Sequence, residues 1–254
     1  RYTEDSLTSA INRAAGSGKS VAVDRETAGL LDYATTLWHE SDGLFDLSSG
    51  ILRRAWDFRS GRLPQQQEID SLLPRVGWAR VQWDGESVYL PARGMELDFG
   101  GLVKEYAADS AATAVRQAGI QTALVDLAGD MVSLGAPNQA AGWPVGIRHP
   151  QQRDTALARV NLPVGALASS GDYERCLVVE GRRYGHILNP HTGWPVAGLV
   201  AVSVLAPQCL VAGSSATVAM LKGAGEGIAW LEALGLPWLA VDAELHCHGT
   251  LASD

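Results

Sequence analysis

Cysteine is scarce and odd in number, with only Cys176, Cys209 and Cys247 among 254 residues. Three isolated thiols make no disulfide framework, and one stays unpaired whatever the compartment. No apolar run reaches the roughly 18 residues needed to span a bilayer, so no transmembrane segment is expected. Positive charge is in deficit, at 20 Lys and Arg against 28 Asp and Glu, a formal net charge of −8. Nucleic-acid binding draws most of its affinity from cations on phosphates, which sets DNA and RNA aside as partners. A local basic site for a small phosphorylated ligand remains open. Strict repeats, low-complexity tracts and linker-like stretches are also missing. Hydrophobic residues at 46% and charged residues at 19% match ordinary globular usage and exclude wholesale disorder. A chain of this length buries roughly 70–75% of its unfolded surface and needs neither disulfide nor metal to hold a core. The sequence opens at Arg1 with neither an initiating Met nor a signal peptide, and the expectation is that a leader or first strand precedes it.

Hydrophobic periodicity supplies the elements. Leu7, Ile11 and Ala14 recur at helical spacing in 6–15, and Leu30, Leu31, Ala34 and Leu37 line one face of a helix over 27–39. Short strands are expected at 20–23, 81–83 and 87–90, the last two forming a hairpin around Asp84-Gly85. A strand at 95–99 is broken by Gly100-Gly101, and a helix over 104–118 ends at Gly119. A buried-type strand at 122–127 closes at Ala128-Gly129-Asp130. Further strands follow at 131–134, 144–148 and 199–205, with a hairpin of 176–180 and 184–188 turning on Gly181-Arg182-Arg183. Helices are expected at 214–222, capped by Gly213 or Ser214, and at 227–234, before a final strand at 238–241. Strands arrive as hairpins between helices rather than in β-α-β alternation. This predicts an α+β fold with mostly antiparallel sheets and packed helices.

Several familiar motifs are absent. Gly16-Ser17-Gly18-Lys19-Ser20 lacks the leading glycine of a phosphate loop, since Arg13 stands there, and it follows a helix rather than a strand; it reads as a turn. No G-x-S-x-G elbow occurs, and sequence alone gives no geometry for a triad of Ser169 or Ser170 with Asp172 and His186. His246-Cys247-His248 has too few partners for structural zinc and reads as a hairpin end.

Three segments are denser than a bland domain requires. In 41–50, glycines allow close backbone approach, Phe45 offers an aromatic ring and Asp46 an acceptor. In 96–106, a double glycine before a helix start offers N–H groups and a dipole to an anion. Lys104 sits in the first helical turn, where that dipole disfavours a cation, and a bound anion nearby would offset this. In 184–195, two histidines and two prolines share a loop, where function concentrates, and His186 can exchange a proton near neutral pH. The alternatives for the three are an ordinary helix-to-loop connection, a plain glycine turn and a structural histidine.

Taken in order, the chain resembles the ApbE family of FAD:protein FMN transferases. The matching pieces are Asp5–Arg13 with Asn12, Ser41–Gly50 followed by Leu52 and Trp56, Glu96–Asp109, and Leu124–Gly135 with Gly129-Asp130. They continue through Ala168–Glu174, including Ser170-Gly171-Asp172-Tyr173, then His186–Pro195 and Val202–Leu221. The resemblance implies one FAD-binding, ApbE-like domain over 1–254, lacking the family's opening strand region. It implies FAD in a cleft, Mg²⁺ at the pyrophosphate, and transfer of FMN to a threonine or serine hydroxyl of an acceptor flavoprotein with release of AMP. Some members instead hydrolyse FAD or simply hold it. Members work at the bacterial cell envelope or in the cytoplasm, and the compartment stays open here. By resemblance, Leu44, Phe45 and Asp46 line the flavin or adenosine pocket, and Asp98 and Lys104 sit on the FAD. His186 and Ile187 lie against it, and His186 and Asp172 are the candidate catalytic groups. The Gly101 carbonyl and Thr217 belong to the metal site.

One departure stands out. The family usually reads Ala-Asp-x-x-x-Thr where this chain has Ala212-Gly213-Ser214-Ser215-Ala216-Thr217, so the principal metal carboxylate is replaced by Gly213. A second acidic residue found in some relatives is Ala216 here, and Asn189 stands for the usual Asp before Pro190. Mg²⁺ usually takes one or two carboxylates. Either a carboxylate from elsewhere compensates, with Asp172 and Asp130 as candidates, or the metal site is vestigial and the protein binds FAD without transferase activity.

Overall fold

The computed structural model describes residues 3–152, 154–172 and 175–252. Tyr173, part of one motif above, lies outside them. The chain forms two compact units, Arg1–Phe99 with Arg175–Val196, and Gly100–Glu174 with Ala197–Asp254. The expected α+β architecture is present, with every strand pair antiparallel.

In the first unit, helix α1 (Leu7–Ala14) starts where the Ser6 hydroxyl accepts a hydrogen bond from Ser9 N, and α2 (Arg25–Glu40) where Asp24 accepts from Thr27 N. Both are side-chain N-caps, each satisfying a donor that the helix itself cannot. The buried face of α2 is Leu30, Leu31, Ala34 and Leu37, as the periodicity predicts. The strands β1 (Val21–Ala22), β2 (Gln82–Trp83) and β3 (Ser87–Tyr89) form a small sheet in the order β1-β3-β2. A 3₁₀ segment, Leu47–Arg54, and helix α3 (Gln66–Leu72) contribute Ile51, Leu52 and Leu72 to a buried cluster. A second cluster joins Trp56, Ile69 and Leu177.

The second unit is built on a six-stranded sheet. Its strands are β4 (Ala123–Leu127), β5 (Asp130–Gly135), β8 (Gly165–Gly171), β11 (Leu199–Ala206), β12 (Trp238–Asp242) and β13 (Cys247–His248). They lie in the order β13-β12-β11-β8-β5-β4. Helix α4 (Val103–Gln117) packs on β4 and β5, and helix α5 (Cys209–Leu234) packs on β8 and β11. A separate ribbon pairs β6 (Trp143–Arg148) with β7 (Ala156–Leu162).

Several sequence expectations are corrected. The 95–99 segment is no strand, because its bonds go elsewhere: Leu97 N donates to Asn12 Oδ1, Asn12 Nδ2 donates to Leu97 O, and Asp98 N donates to Leu47 O. The hairpin of β9 (Cys176–Val179) and β10 (Arg182–Gly185) turns on Glu180-Gly181, both at positive φ, so Arg182 and Arg183 belong to the strand. Strand β4 is only half-buried along most of its length, not fully enclosed. The two expected C-terminal helices are one element broken at Gly223 (φ 77°, ψ −173°), and it begins at Cys209, five residues before the expected start at Ser214.

Candidate functional site

The chemistry-bearing side chains fall into two groups, one in each unit. In the first unit, Asp46 caps the Leu47–Arg54 segment. Its Oδ1 accepts from Ser48 N at 2.7 Å and from the Ser48 hydroxyl at 2.5 Å, and its Oδ2 accepts from Trp78 N at 2.8 Å. The carboxylate anticipated as a ligand acceptor thus also holds its own loop. Phe45 is buried and its N–H donates to the Ser41 hydroxyl, while Leu44 is half-buried beside it. Glu96, not singled out from sequence, is buried between two guanidinium groups: Arg53 Nη2 lies 2.7 Å from Oε2, and Arg54 pairs with Oε1. Arg53 also reaches Asp98 at 3.8 Å. Asp98 comes so close to Gly50 that a Cβ there would sit 2.2 Å from the Asp98 Cβ, which explains the glycine. His186 and Ile187 follow β10, both half-buried, and the Ile187 carbonyl accepts from Val196 N at 3.0 Å. Asn189, in place of the usual Asp, stabilises a turn, its Oδ1 accepting from His191 N and Thr192 N.

In the second unit the acidic residues cluster where α4 starts. β4 and β5 are joined by Ala128 (φ 54°) and Gly129 (φ 91°), with Leu127 paired to Asp130. Two consecutive residues at positive φ are what a two-residue hairpin turn requires, and Ala128 adopts that conformation although it carries a Cβ. The turn delivers Asp130, 1% exposed, to the head of α4. Its Oδ2 lies 2.7 Å from Lys104 Nζ, and its Oδ1 accepts from Ser169 N. Asp130 therefore supplies an offset that a first-turn lysine needs against the helix dipole.

Glu105, one residue further along α4, is the functional candidate that sequence reading missed. It is 8% exposed, and its Oε2 is buried without a hydrogen-bond partner. Burial pushes its carboxyl up to about 7, the charge of Asp130 adds to the rise, and Lys104 opposes it. Glu105 also faces Gly213: a Cβ built there would lie 2.5 Å from Glu105 Cγ and 2.9 Å from Oε1. Gly213 is therefore no bare gap, because the Glu105 side chain fills the volume beside it. One turn further along α5, the Thr217 hydroxyl lies 2.8 Å from the Ser170 hydroxyl on β8. Asp172 follows β8, half-buried, and its N–H donates to Val200 O. Gly101, also half-buried, sits in the turn preceding α4.

Among the described residues no group of three or more His, Cys, Asp or Glu stands together as a ready metal site. Mg²⁺ commonly uses one or two protein carboxylates, its remaining positions being filled by water and substrate phosphates. Against that requirement a buried acidic pair with one unpartnered oxygen is a fitting donor set. Among the described residues no helix is long and apolar enough to cross a membrane. The His246–His248 segment ends in β13, where His248 Nε2 meets Asp242 Oδ2 at 2.9 Å, in keeping with a structural hairpin end.

The model of the ApbE family matches residues 1–239. The FAD:protein FMN transferase of Treponema pallidum is 31% identical over 239 residues, covering 87% of this chain and 66% of that protein. Its counterpart from Rhodobacter capsulatus is 32% identical over 218 residues, covering 84% of this chain and 42% of that protein. The chain thus spans two thirds or less of the length of these two curated relatives. Among solved structures, the ApbE protein of Thermotoga maritima superposes with a TM-score of 0.89 at 28% identity, covering 99% of this chain and 85% of that one. The flavin transferase ApbE of Vibrio cholerae gives a TM-score of 0.86 at 26% identity, covering 99% and 82%.

Proposed function

The chain belongs to the ApbE family, and on that premise we propose that it transfers FMN from FAD to a threonine or serine hydroxyl of an acceptor protein, releasing AMP. The acceptor oxygen forms a bond to the phosphorus on the FMN side of the pyrophosphate. The bond from that phosphorus to the bridging oxygen breaks, and AMP leaves with the electron pair. The hydroxyl proton passes to a base, for which His186 and Asp172 are the proposed groups. Leu44, Ile187 and His186 contact the flavin nucleotide in this reading, and Asp98 holds one of its polar edges. Phe45 and Asp46 shape the same loop from beneath, one by packing and one by its three hydrogen bonds. Lys104, oriented by Asp130, presents a cation to the phosphates. Mg²⁺, when bound, supplies charge neutralisation at the pyrophosphate, the usual contribution of a metal to such a transfer. The Gly101 carbonyl and the Thr217 hydroxyl are proposed to hold it.

The observation that carries the reading is the family match across residues 1–239. The alternative, an FAD-holding protein without turnover, rested on Gly213 alone, and Glu105 beside that glycine weakens it. The test combines the chain with FAD, Mg²⁺ and an acceptor protein bearing a flavinylation site. AMP should appear in the supernatant and an FMN mass adduct on one acceptor hydroxyl. Folded protein that yields neither product with saturating Mg²⁺ refutes the proposal.

A further inference from the structure

We propose that Glu105 supplies the metal carboxylate that position 213 has lost, so that the charge has moved from α5 to α4 while its place in the site is kept. The inference rests on the metal-assisted reading above, and it concerns this chain's own residues.

Three observations carry it. First, the place is the same: a side chain grown from Gly213 would run into Glu105, with Cγ, Oε1 and Cδ at 2.5, 2.9 and 3.0 Å from its Cβ. A carboxylate at 213 and the carboxylate of Glu105 compete for one volume. Second, that carboxylate is dressed for a ligand. It is more than nine-tenths buried, and Oε2 has no hydrogen-bond partner. A buried polar atom left in that state costs stability, and such atoms are rare in folded proteins unless something binds them. Asp130 adjoins it, and Lys104 pairs with Asp130. A buried acidic pair is the kind of donor set that a divalent cation takes.

Third, the two helices run past each other in a stagger that leads to another expected ligand. Asp109 accepts from Cys209 N and Leu210 N, both at 2.9 Å. One turn back on α4 and one turn on along α5, Glu105 meets Gly213. Residues four apart share a helix face, so Thr217 lies on the same face of α5 as Gly213. The hydroxyl expected at the metal thus stands one helical turn from the level of Glu105.

The experiment measures Mn²⁺ and Mg²⁺ binding to the full chain with FAD present, by Mn²⁺ electron paramagnetic resonance and by Mg²⁺ titration of the melting temperature after EDTA. Glu105→Gln keeps the shape and removes the charge. It should weaken Mn²⁺ binding at least tenfold. The double variant Glu105→Gly with Gly213→Asp returns the carboxylate to α5 and should recover metal affinity to within about threefold of wild type, whereas Glu105→Gly alone should not. The inference is overturned if Glu105→Gln binds Mn²⁺ as tightly as wild type, or if the double variant folds without regaining affinity. FAD titration in EDTA, followed by flavin fluorescence, reports on the flavin reading separately. Wild-type protein that binds FAD while its Mn²⁺ affinity ignores Glu105 refutes this inference alone. Wild-type protein that binds neither FAD nor Mn²⁺ overturns the proposed function and this inference together.

Discussion

Helix α5 begins without a cap of its own, and the consequence is measurable. Gln208 stands at the N-cap position and makes no capping hydrogen bond. The first donors are taken instead by Asp109 on α4, whose two oxygens accept from Cys209 N and Leu210 N at 2.9 Å each. A lost side-chain cap costs about 0.5–2 kcal/mol, and a hydrogen bond to a charged group is worth about 1.5–3 kcal/mol. The carboxylate also meets the positive end of the helix dipole, worth a further 0.3–1 kcal/mol or so. These overlap rather than add, so Asp109→Ala should lose about 2–4 kcal/mol. In a chain of this size that is a fall in Tm of roughly 5–15 °C. Asp109→Asn retains one acceptor oxygen and should lose about half as much. Restoring a local cap with Gln208→Ser in the Asp109→Ala background should return about 1 kcal/mol. Urea denaturation followed by circular dichroism reads all four proteins. If Asp109→Ala lies within about 0.5 kcal/mol of wild type, the range of a surface substitution away from such features, Asp109 does not hold the start of α5. The assignment also fails if Gln208→Ser recovers nothing.

Other outcomes follow from the same geometry. Gly213→Asp alone, which on sequence grounds should restore a metal site, should instead destabilise the protein by about 1–3 kcal/mol through overpacking against Glu105; a stability equal to wild type in EDTA would contradict this. Gly50→Ala places a Cβ 2.2 Å from the Asp98 Cβ and should cost a similar amount, about 1–3 kcal/mol, and weaken FAD binding measured by flavin fluorescence. Gly29→Ala, at an exposed position within α2 that meets nothing within 4 Å, should stabilise by about 0.5–1 kcal/mol in the same urea titration. The Asp242 carboxyl is held below its ordinary range by its hydrogen bond with His248. Such a group adds stability above its unfolded pKa, and that stability is lost as pH falls through the lower folded value. Asp242→Asn should therefore melt below wild type near pH 6 and converge with it in strong acid, and a gap that widens on acidification would refute the assignment.

What was legible in the sequence is what depends on local pattern. The stripe of α2, the Asp84-Gly85 hairpin and the turn at Ala128-Gly129 each carry their signal within a few residues. Strand β8 carried none. Its sequence, Gly-Ala-Leu-Ala-Ser-Ser-Gly, is poor in the branched and aromatic residues that mark strands, yet it is a central strand with α5 packed on it. Small residues there allow the helix to lie close, and that is a tertiary requirement with no local trace. Strand β7 went unread as well, although its inward residues Ala158 and Leu162 join the core that β6 and β8 share. The start of α5 was missed for the opposite reason: its first half is buried nearly all round, so no polar face sets a period.

The candidate site divides along the same line. Residues that a motif singles out, including Asp98, Lys104, His186 and Thr217, could be named as candidates from the sequence. Glu105 was passed over because an acidic residue in the first turn of a helix is ordinary, being favoured by the dipole. Nothing in 96–106 by itself distinguishes it. The signal was spread over two positions 108 residues apart, a carboxylate present at 105 and one absent at 213. Either change alone is a defect. A glutamate facing an aspartate at 213 would crowd two carboxylates into one volume, and a glycine at 213 without Glu105 would leave Lys104 and Asp130 with no further charge to offer an ion. Only when α4 and α5 are laid side by side do the two become a single exchange. A motif scan that scores each position separately therefore records a lost ligand at 213 and passes over the buried carboxylate that faces it.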